Sequence, residues 1–524
     1  MTNIERKENQ IMEEIKNRVR TILTDGSLDY KQKKHHLAYI AESTQSYPEV
    51  SAEAMTALNE KVICDLFEGS APYRPRYILP DYKLALKKGV KYLELDPPTD
   101  LDEAINFLSI LYAHVPSITG YSVYLGNIDQ LLLPFTGDLS EEAITKKLKL
   151  FWRYIDRTLP DAFVHANIGP EDNVIARTIL RIERELKQVV PNLTLKYDTD
   201  ITSDDLLIEA AQTVFEVAKP HIANHKMTAA DFKSDYGVVS CYNSLPQGGG
   251  SHTLIRLNLK KITDSHQGNA EAFISETLPK YCQITLDIIE ARIKYLVETV
   301  NYFQNDFLAQ EGIISLENFS AMFGFYGLAE CVNQLMASSG HNYCYGKHEE
   351  ANQLAHRILE EMKKQVDSRP LPYCEANNGK AFFHAQSGID IDIEETAGAR
   401  IPIGEEPDIY AHINTVAPHH HLFNGGISDI FHFDETIKRN PSAILDIIKG
   451  AFKKGMRMFT FNLSDSEFIR ITGYLVRRSD LKDFREEGSR YGSALFAANS
   501  MDNADVDKRI AKRIDSHERT AGQY

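Results

Sequence analysis

The sequence predicts an α/β fold, on three observations. Apolar, β-branched runs alternate with helical periodicity through the middle of the chain. They pass from the strand Leu193–Tyr197 through the helix Ser203–Ala218 to the strands Tyr236–Ser240 and Thr253–Leu259. Hydrophobic residues make up 43% and charged residues 25%, the balance of a folded soluble protein. No stretch approaches the ~20 consecutive apolar residues needed to cross a bilayer. A length of 524 residues allows either several domains or one long barrel.

Charge narrows the partners. Lys and Arg total 58 against 74 Asp and Glu, a net charge of −16, which argues against nucleic acid and anionic membrane surfaces. The opening residues, Met1 to Gln10, are polar and charged, so no signal peptide is expected and the cytoplasm is the expected location. Six cysteines, Cys64, Cys241, Cys282, Cys331, Cys344 and Cys374, include no Cys-x-x-Cys pair. They are expected as reduced thiols that build neither a disulfide framework nor a four-thiolate zinc site nor an iron–sulfur centre. No metal site is expected.

In chain order, residues 4–24 and 31–66 are expected to be helical, with Asp29 and Ser51 as N-caps. A Pro-rich connection over 71–80 crosses to a helix near Leu101–His114, and Asp129-Gln130 reads as a further helix start. Helical periodicity continues from Glu141 to about Val190. The glycines 248–250 lack the Gly-Lys-Ser/Thr of a phosphate loop and read as slack. Residues Ala270–Ala309 form a long helical region broken at Pro279, and Lys347–Val366 is amphipathic. The run Ala381–Gly388 reads as a strand delivering His384, Gln386 and Ser387 into a loop. In Val416–Gly426, His419, His420 and His421 are adjacent, and on a strand neighbours alternate sides, so the three cannot converge on one metal. One of them as a proton donor or substrate contact fits better. A helix over Pro441–Lys454, a strand over Arg457–Leu463 and a mostly polar stretch over Arg477–Tyr524, solvated at its start at Arg477, Arg478, Lys482 and Arg485, complete the chain.

One glycine stands apart. In Arg470-Ile471-Thr472-Gly473-Tyr474-Leu475-Val476-Arg477, Gly473 has no turn-forming companion beside it, which suggests a backbone that something must approach closely. The run resembles the C-terminal signature of the glycyl radical enzymes, Arg-Val-x-Gly-Tyr, with Ile471 in place of valine. A main-chain radical is stabilised when Cα flattens and shares spin with the flanking amides, and a side chain would crowd that arrangement. A second match lies at Cys241, at a strand end, followed by Tyr242-Asn-Ser-Leu-Pro246 and a strand ending Leu257-Asn-Leu259. This resembles the cysteine loop of anaerobic ribonucleotide reductases. The stretch Gly324-Phe-Tyr-Gly-Leu-Ala-Glu330 resembles their Gly-x-x-Gly-Leu-x-Glu run. Tyr124–Phe135 is similar to a segment of the dehydratase branch, with Asn127 where arginine is usual and Leu131 where tyrosine is.

Taken together, the pattern looks closest to the YjjI type of glycyl radical enzyme and is related to pyruvate formate-lyase-like enzymes. The resemblance implies a ten-stranded α/β barrel with peripheral helices. A mainly helical region over 1–115 would pack on a barrel over 116–400 carrying the cysteine loop, with the radical region over 401–524. It implies a stored radical at Gly473 and a thiyl radical at Cys241, with Glu330, His384, His419 and His420 as substrate-pocket candidates. It implies no intrinsically bound cofactor, a separate S-adenosylmethionine/[4Fe-4S] activase as partner, a small organic substrate and a homodimer. Three alternatives stay open: an anaerobic ribonucleotide reductase-like enzyme, a glycyl radical dehydratase or lyase, and a non-catalytic radical-domain repair protein. A true reductase would carry four zinc-binding cysteines near the glycine, and none lies between Cys374 and Tyr524. Cys374-Glu375 is the rival thiyl loop, but adjacent residues in an extended segment point apart.

Overall fold

The computed structural model describes residues 3–26, 28–65, 74–117, 120–159, 161, 163–232, 235–385, 395–470, 475–487 and 508–513, with backbone alone for 3–8 and 484–487. Gly473 lies outside the described residues, as do Gln386 and Ser387. The strands are β1 (Ile63–Cys64), β2 (Tyr77–Leu79), β3 (His165–Ile168), β4 (Asn192–Tyr197), β5 (His221–Asn224), β6 (Tyr236–Val239) and β7 (Asn243–Pro246). They continue with β8 (Gly249–Asn258), β9 (Phe319–Tyr326), β10 (Phe382–Ala385), β11 (Asp429–Phe433), β12 (Met458–Leu463), β13 (Phe468–Arg470) and β14 (Leu475–Arg477).

Ten of these strands form two five-stranded sheets, the halves of an α/β barrel. In the first, β8, β9 and β10 run parallel, with β1 and β2 antiparallel on β8. In the second, β3, β4 and β5 run parallel, and β12 joins antiparallel to β5 and parallel to β11. On one side the halves meet where Gly425 N–H donates to Phe383 O at 2.9 Å and Ala385 N–H to Gly426 O at 3.1 Å. Between the halves lies the β6–β7 hairpin, touching β3 on one side and β8 on the other.

The second sheet explains how the hairpin is held. Its strands alternate polar and apolar residues although every one is buried: His165-Ala-Asn167-Ile, Asn192-Leu-Thr194-Leu-Lys196, Met458-Phe-Thr460-Phe-Asn462. Successive side chains point to opposite faces. The apolar set packs beneath amphipathic helices such as Val174–Leu186, whose Ile175, Ile179 and Ile182 are buried. The polar set faces the hairpin. Each buried aliphatic side chain on the helical side contributes about 1.5–3 kcal/mol. The polar side is held by its hydrogen bonds.

Several local expectations change. The helix expected over 31–66 is two helices, Tyr30–Glu42 and Ala52–Asn59, followed by β1. Asp29 makes a capping box with Gln32 and Ser51 caps Ala54 N–H, as expected, while Pro48, which has no N–H, lies in the break. Glycines 248–250 are not slack. A Cβ on Gly249 would sit 1.9 Å from Asn318 O, and one on Gly250 2.0 Å from Tyr77 O, so two backbones pass where only glycine fits. The histidine run is a 3₁₀ turn, Ala417–Leu422, not a strand. With three residues per turn it fans the rings apart for a different reason. The strand Arg457–Leu463 belongs to the barrel as β12, and the strand that pairs with β14 across 471–474 is the short β13.

Candidate active site

Cys241 is the middle residue of the three between β6 and β7, where Val239 pairs with Asn243. It is 1% exposed. The preceding Ser240 adopts φ +56°, the left-handed region that costs a non-glycine residue about 1–2 kcal/mol. The surroundings over-determine that turn. The Asn167 side chain donates to Val238 O and accepts from Val238 N–H, both at 2.8 Å. Ser240 O accepts from His165 Nδ1 at 2.9 Å and Asn192 Nδ2 at 3.4 Å. From the opposite wall Ser244 N–H donates to Gly425 O at 3.1 Å. Gly426, at φ +117°, leaves 2.3 Å between Tyr242 O and the position a Cβ would take. No larger residue fits there.

A ladder of side chains runs from this turn to the residue that precedes 471–474. Asn192 Nδ2 lies 3.3 Å from His221 Nε2, and Arg470 Nη1 lies 2.8 Å from the same nitrogen. Both neighbours are donors, so His221 Nε2 accepts and its Nδ1–H donates to Thr460 Oγ1 at 2.6 Å. The Arg470 guanidinium also donates to Ala218 O. Burial pushes Arg470 down to about 9, opposed by the nearby Cys241 sulfur and reinforced by Arg400 and Arg509. Burial likewise pushes His165 down to about 3, which keeps its ring neutral with Nδ1–H donating to Ser240 O. The cysteine turn and the base of the β13–β14 hairpin therefore share one buried hydrogen-bonded wall.

On the other flank, Tyr242 is 1% exposed and its hydroxyl accepts from Arg400 Nη2 at 3.0 Å, with the guanidinium 5.4 Å from the ring centroid. His384 on β10 stands edge-on to Tyr242 at 5.9 Å and donates from Nδ1 to Gly426 O at 2.6 Å. Asp429 accepts from His412 Nε2 at 3.1 Å.

The predicted pocket residues divide. His384 is beside the cysteine turn. Glu330 is taken up elsewhere: its Oε1 accepts from Thr396 N–H at 3.0 Å and from Thr396 Oγ1 at 2.5 Å, tying down that loop. His419 stacks on His356 at 5.4 Å, and His420 Nδ1 accepts Arg457 N–H at 2.9 Å. Burial pushes both rings down to about 3. Cys374 lies under β9 with its thiol pushed up to about 12 by burial, while Glu375 is exposed and points away. Asp129 does not cap its own helix. It accepts from Gly169 N–H at 2.9 Å and Asn173 Nδ2 at 2.8 Å, and burial raises it to about 6. Asn127 donates to Gly169 O at 2.7 Å. Among the described residues no group of three or more His, Cys, Asp or Glu is arranged to hold a metal ion. None of their helices is long and apolar enough to cross a membrane.

Sequence reasoning missed His165, Asn192, His221, Arg400 and Arg509. The signal for the first three was present: polar residues at alternate positions of otherwise apolar strands. Arg400 and Arg509 lie in irregular segments with no such pattern.

Comparison with known proteins bears on the family and the fold. The family described as glycyl radical enzyme YjjI-like matches residues 28–512. The protein YjjI of Escherichia coli (strain K12) is 50% identical over 505 residues, 96% of this chain and 97% of that one. Among solved structures, hydroxyproline dehydratase from Clostridioides difficile superposes with a TM-score of 0.69 at 12% identity, covering 95% of this chain and 88% of its own. An anaerobic ribonucleotide reductase superposes at 0.68 and 13% identity, covering 90% and 91%. At such identities the two structures establish the shared fold, the ten-stranded barrel.

Proposed function

Because the chain belongs to the YjjI-like glycyl radical enzyme family, we propose that it stores an organic radical at Gly473 and passes it to Cys241. The resulting thiyl then takes a hydrogen atom from a small organic substrate. A separate S-adenosylmethionine/[4Fe-4S] activase installs the radical. In the first step the S–H bond of Cys241 breaks and a Cα–H bond forms at Gly473. One hydrogen atom moves, the radical moves the other way, and no charge changes. In the second, substrate C–H breaks as S–H re-forms. Both steps reverse after turnover, so the radical returns to Gly473.

The observation that supports this reading is the ladder from Ser240 O through Asn192 and His221 to Arg470. It links the cysteine turn to the last described residue before Gly473. Burial suits the chemistry: a thiol at 1% exposure is kept from water and from competing reductants. The two solved neighbours, a dehydratase and a reductase, represent the two reaction classes to distinguish. The activated protein is assayed anaerobically against diols, polyols and nucleotides.

The decisive test needs no substrate. Anaerobic activation should give an electron paramagnetic resonance doublet from the remaining Cα hydrogen of Gly473. That doublet collapses in D₂O if Cys241 relays solvent hydrogen. Cys241→Ser should keep the doublet and stop the collapse, and Gly473→Ala should abolish the signal. Collapse persisting in Cys241→Ser but lost in Cys374→Ser would assign the thiyl to the other loop.

A further inference from the structure

One helix of the chain carries an apolar stripe and buries none of it. In α1 (Asn3–Thr24), no side chain over 9–24 is buried. The helix lies against α2 (Tyr30–Glu42), and Ile15, Val19 and Ile22 are partly covered. Ile11, Met12 and Leu23 remain 51%, 52% and 55% exposed. At about 100° per residue these six fall within about 120° of the helix circumference, a single stripe of the width that faces a core. Of the twelve large hydrophobic side chains exposed among the described residues, Ile11, Met12, Leu23, Tyr30 and Tyr39 all lie on this helical hairpin. The exposed apolar surface is thus concentrated there rather than scattered. α1 also precedes residues 28–512, the stretch that matches the family, and stands outside it.

The spacing says what covers the stripe. Met12, Ile15, Val19 and Ile22 follow the 3-4-3 rhythm of a helix–helix seam. The set is also self-complementary. Turned end to end about Asn17, Ile11 comes level with Leu23, Met12 with Ile22 and Ile15 with Val19. A two-fold axis demands that match, because residue i of one copy meets j of the other while j meets i. A helix covered by an unrelated partner has no need of it. Charge then chooses the direction. Residues 9–14 carry Glu13 and Glu14 and no base, and residues 15–24 carry Lys16, Arg18 and Arg20 and no acid. Parallel copies would set acid on acid and base on base, whereas antiparallel copies set the acidic start against the basic end. Lys16 and Arg18 come close to their own copies beside the axis, and Lys16 is already held at 2.6 Å by Glu13 of its own helix.

We propose that α1 is a self-association helix, through which two copies of this chain pair antiparallel about a two-fold axis level with Asn17. The proposal is independent of the roles of Gly473 and Cys241, and it is tested on the unactivated, full-length protein. Sedimentation velocity at micromolar concentrations should find a dimer. Met12→Lys combined with Leu23→Lys should raise its dissociation constant about 100-fold, since both side chains leave the contact in both copies. The two positions are half-exposed in the single chain, so the urea midpoint of the barrel should not move. Direction is read by a short bismaleimide. Met12→Cys with Ile22→Cys should cross-link copy to copy, the cysteine at 12 of one reaching that at 22 of the other. Met12→Cys alone should give no more cross-linked dimer than the wild type, because antiparallel copies hold those two sulfurs about 15 Å apart. A monomeric wild type, or a dimer that the two lysines leave intact, would overturn the proposal. Equal cross-linking by Met12→Cys alone would overturn the antiparallel arrangement. The cross-links decide even if the lysine variant misfolds.

Discussion

Replacing Arg470 by Met separates its structural weight from the role proposed for it between the two proposed radical residues, Gly473 and Cys241. The guanidinium is 1% exposed, and its fall from an ordinary 12.5 to about 9 corresponds to about 5 kcal/mol of unfavourable charge burial. Methionine removes that penalty and fills a similar volume. It also leaves His221 Nε2 and Ala218 O without this donor, at about 1–3 kcal/mol each, so roughly 2–6 kcal/mol is lost. The two contributions nearly cancel. Global stability should therefore change little, and thermal denaturation should shift by only a few degrees. The relay should suffer far more, because the residue that anchors the end of β13 to the cysteine wall is gone. A displacement of about 1 Å between reacting atoms costs on the order of 100-fold. The assay is the rate at which the electron paramagnetic resonance doublet collapses in D₂O, compared with the wild type at equal radical content. An unchanged collapse rate would show that the ladder does not position the glycine segment. A large loss of thermal stability with the relay intact would show that Arg470 serves only the fold.

Three further outcomes follow from the same geometry. Glu183 and Lys219 form a fully buried pair at 2.8 Å, so Glu183→Ala should cost ~3–5 kcal/mol in chemical denaturation. Glu183→Leu combined with Lys219→Met should recover most of it. Burial pushes His165, His419 and His420 down to about 3 and His252 to about 4, whereas Asp129 is raised to about 6. Near pH 5 the unfolded chain binds four imidazole protons that the folded one does not, while folded Asp129 holds one that the unfolded chain releases. Stability is then present above about pH 6.5 and lost as pH falls, at about 4 kcal/mol per pH unit near pH 5. Urea midpoints that stay flat between about pH 7 and pH 5 would contradict this. Finally, air should cut the activated protein once, at Gly473, because oxygen adds to the Cα radical and the peroxyl decomposes through the main chain. Mass spectrometry should find fragments ending near Thr472 and beginning near Tyr474. Equal cleavage without activation would mean proteolysis instead.

Much of the fold was legible from local pattern. Asp29 and Ser51 cap helices where they were expected, because an N-cap is satisfied within four residues. The strand before Cys241 and the alternation of strands with helices were equally visible, since both follow from short-range periodicity. Where the same pattern has two physical origins, reading it failed. Glycines 248–250 read as slack from their lack of side chains, but their purpose is the passage of Asn318 and Tyr77 backbone, which are distant in sequence. The histidine run read as a strand, but residues 417–422 form a 3₁₀ turn with Pro418 near its start, and its rings pack against His356 and Arg457.

The sequence by itself determined the residue types proposed to carry the chemistry: a lone glycine in Ile-Thr-Gly-Tyr and a cysteine at a strand end. These are properties of a few adjacent residues, and a short motif carries them completely. The tertiary structure decided which distant groups surround the cysteine turn. His165, Asn192 and His221 come from three strands whose inner faces converge only when the sheet forms, Arg400 comes from an irregular connector, and Arg509 comes from a tail that returns to β11. Hydrogen bonds and buried charges depend on distances of about 3 Å between residues hundreds of positions apart. No local pattern in a chain encodes such a distance.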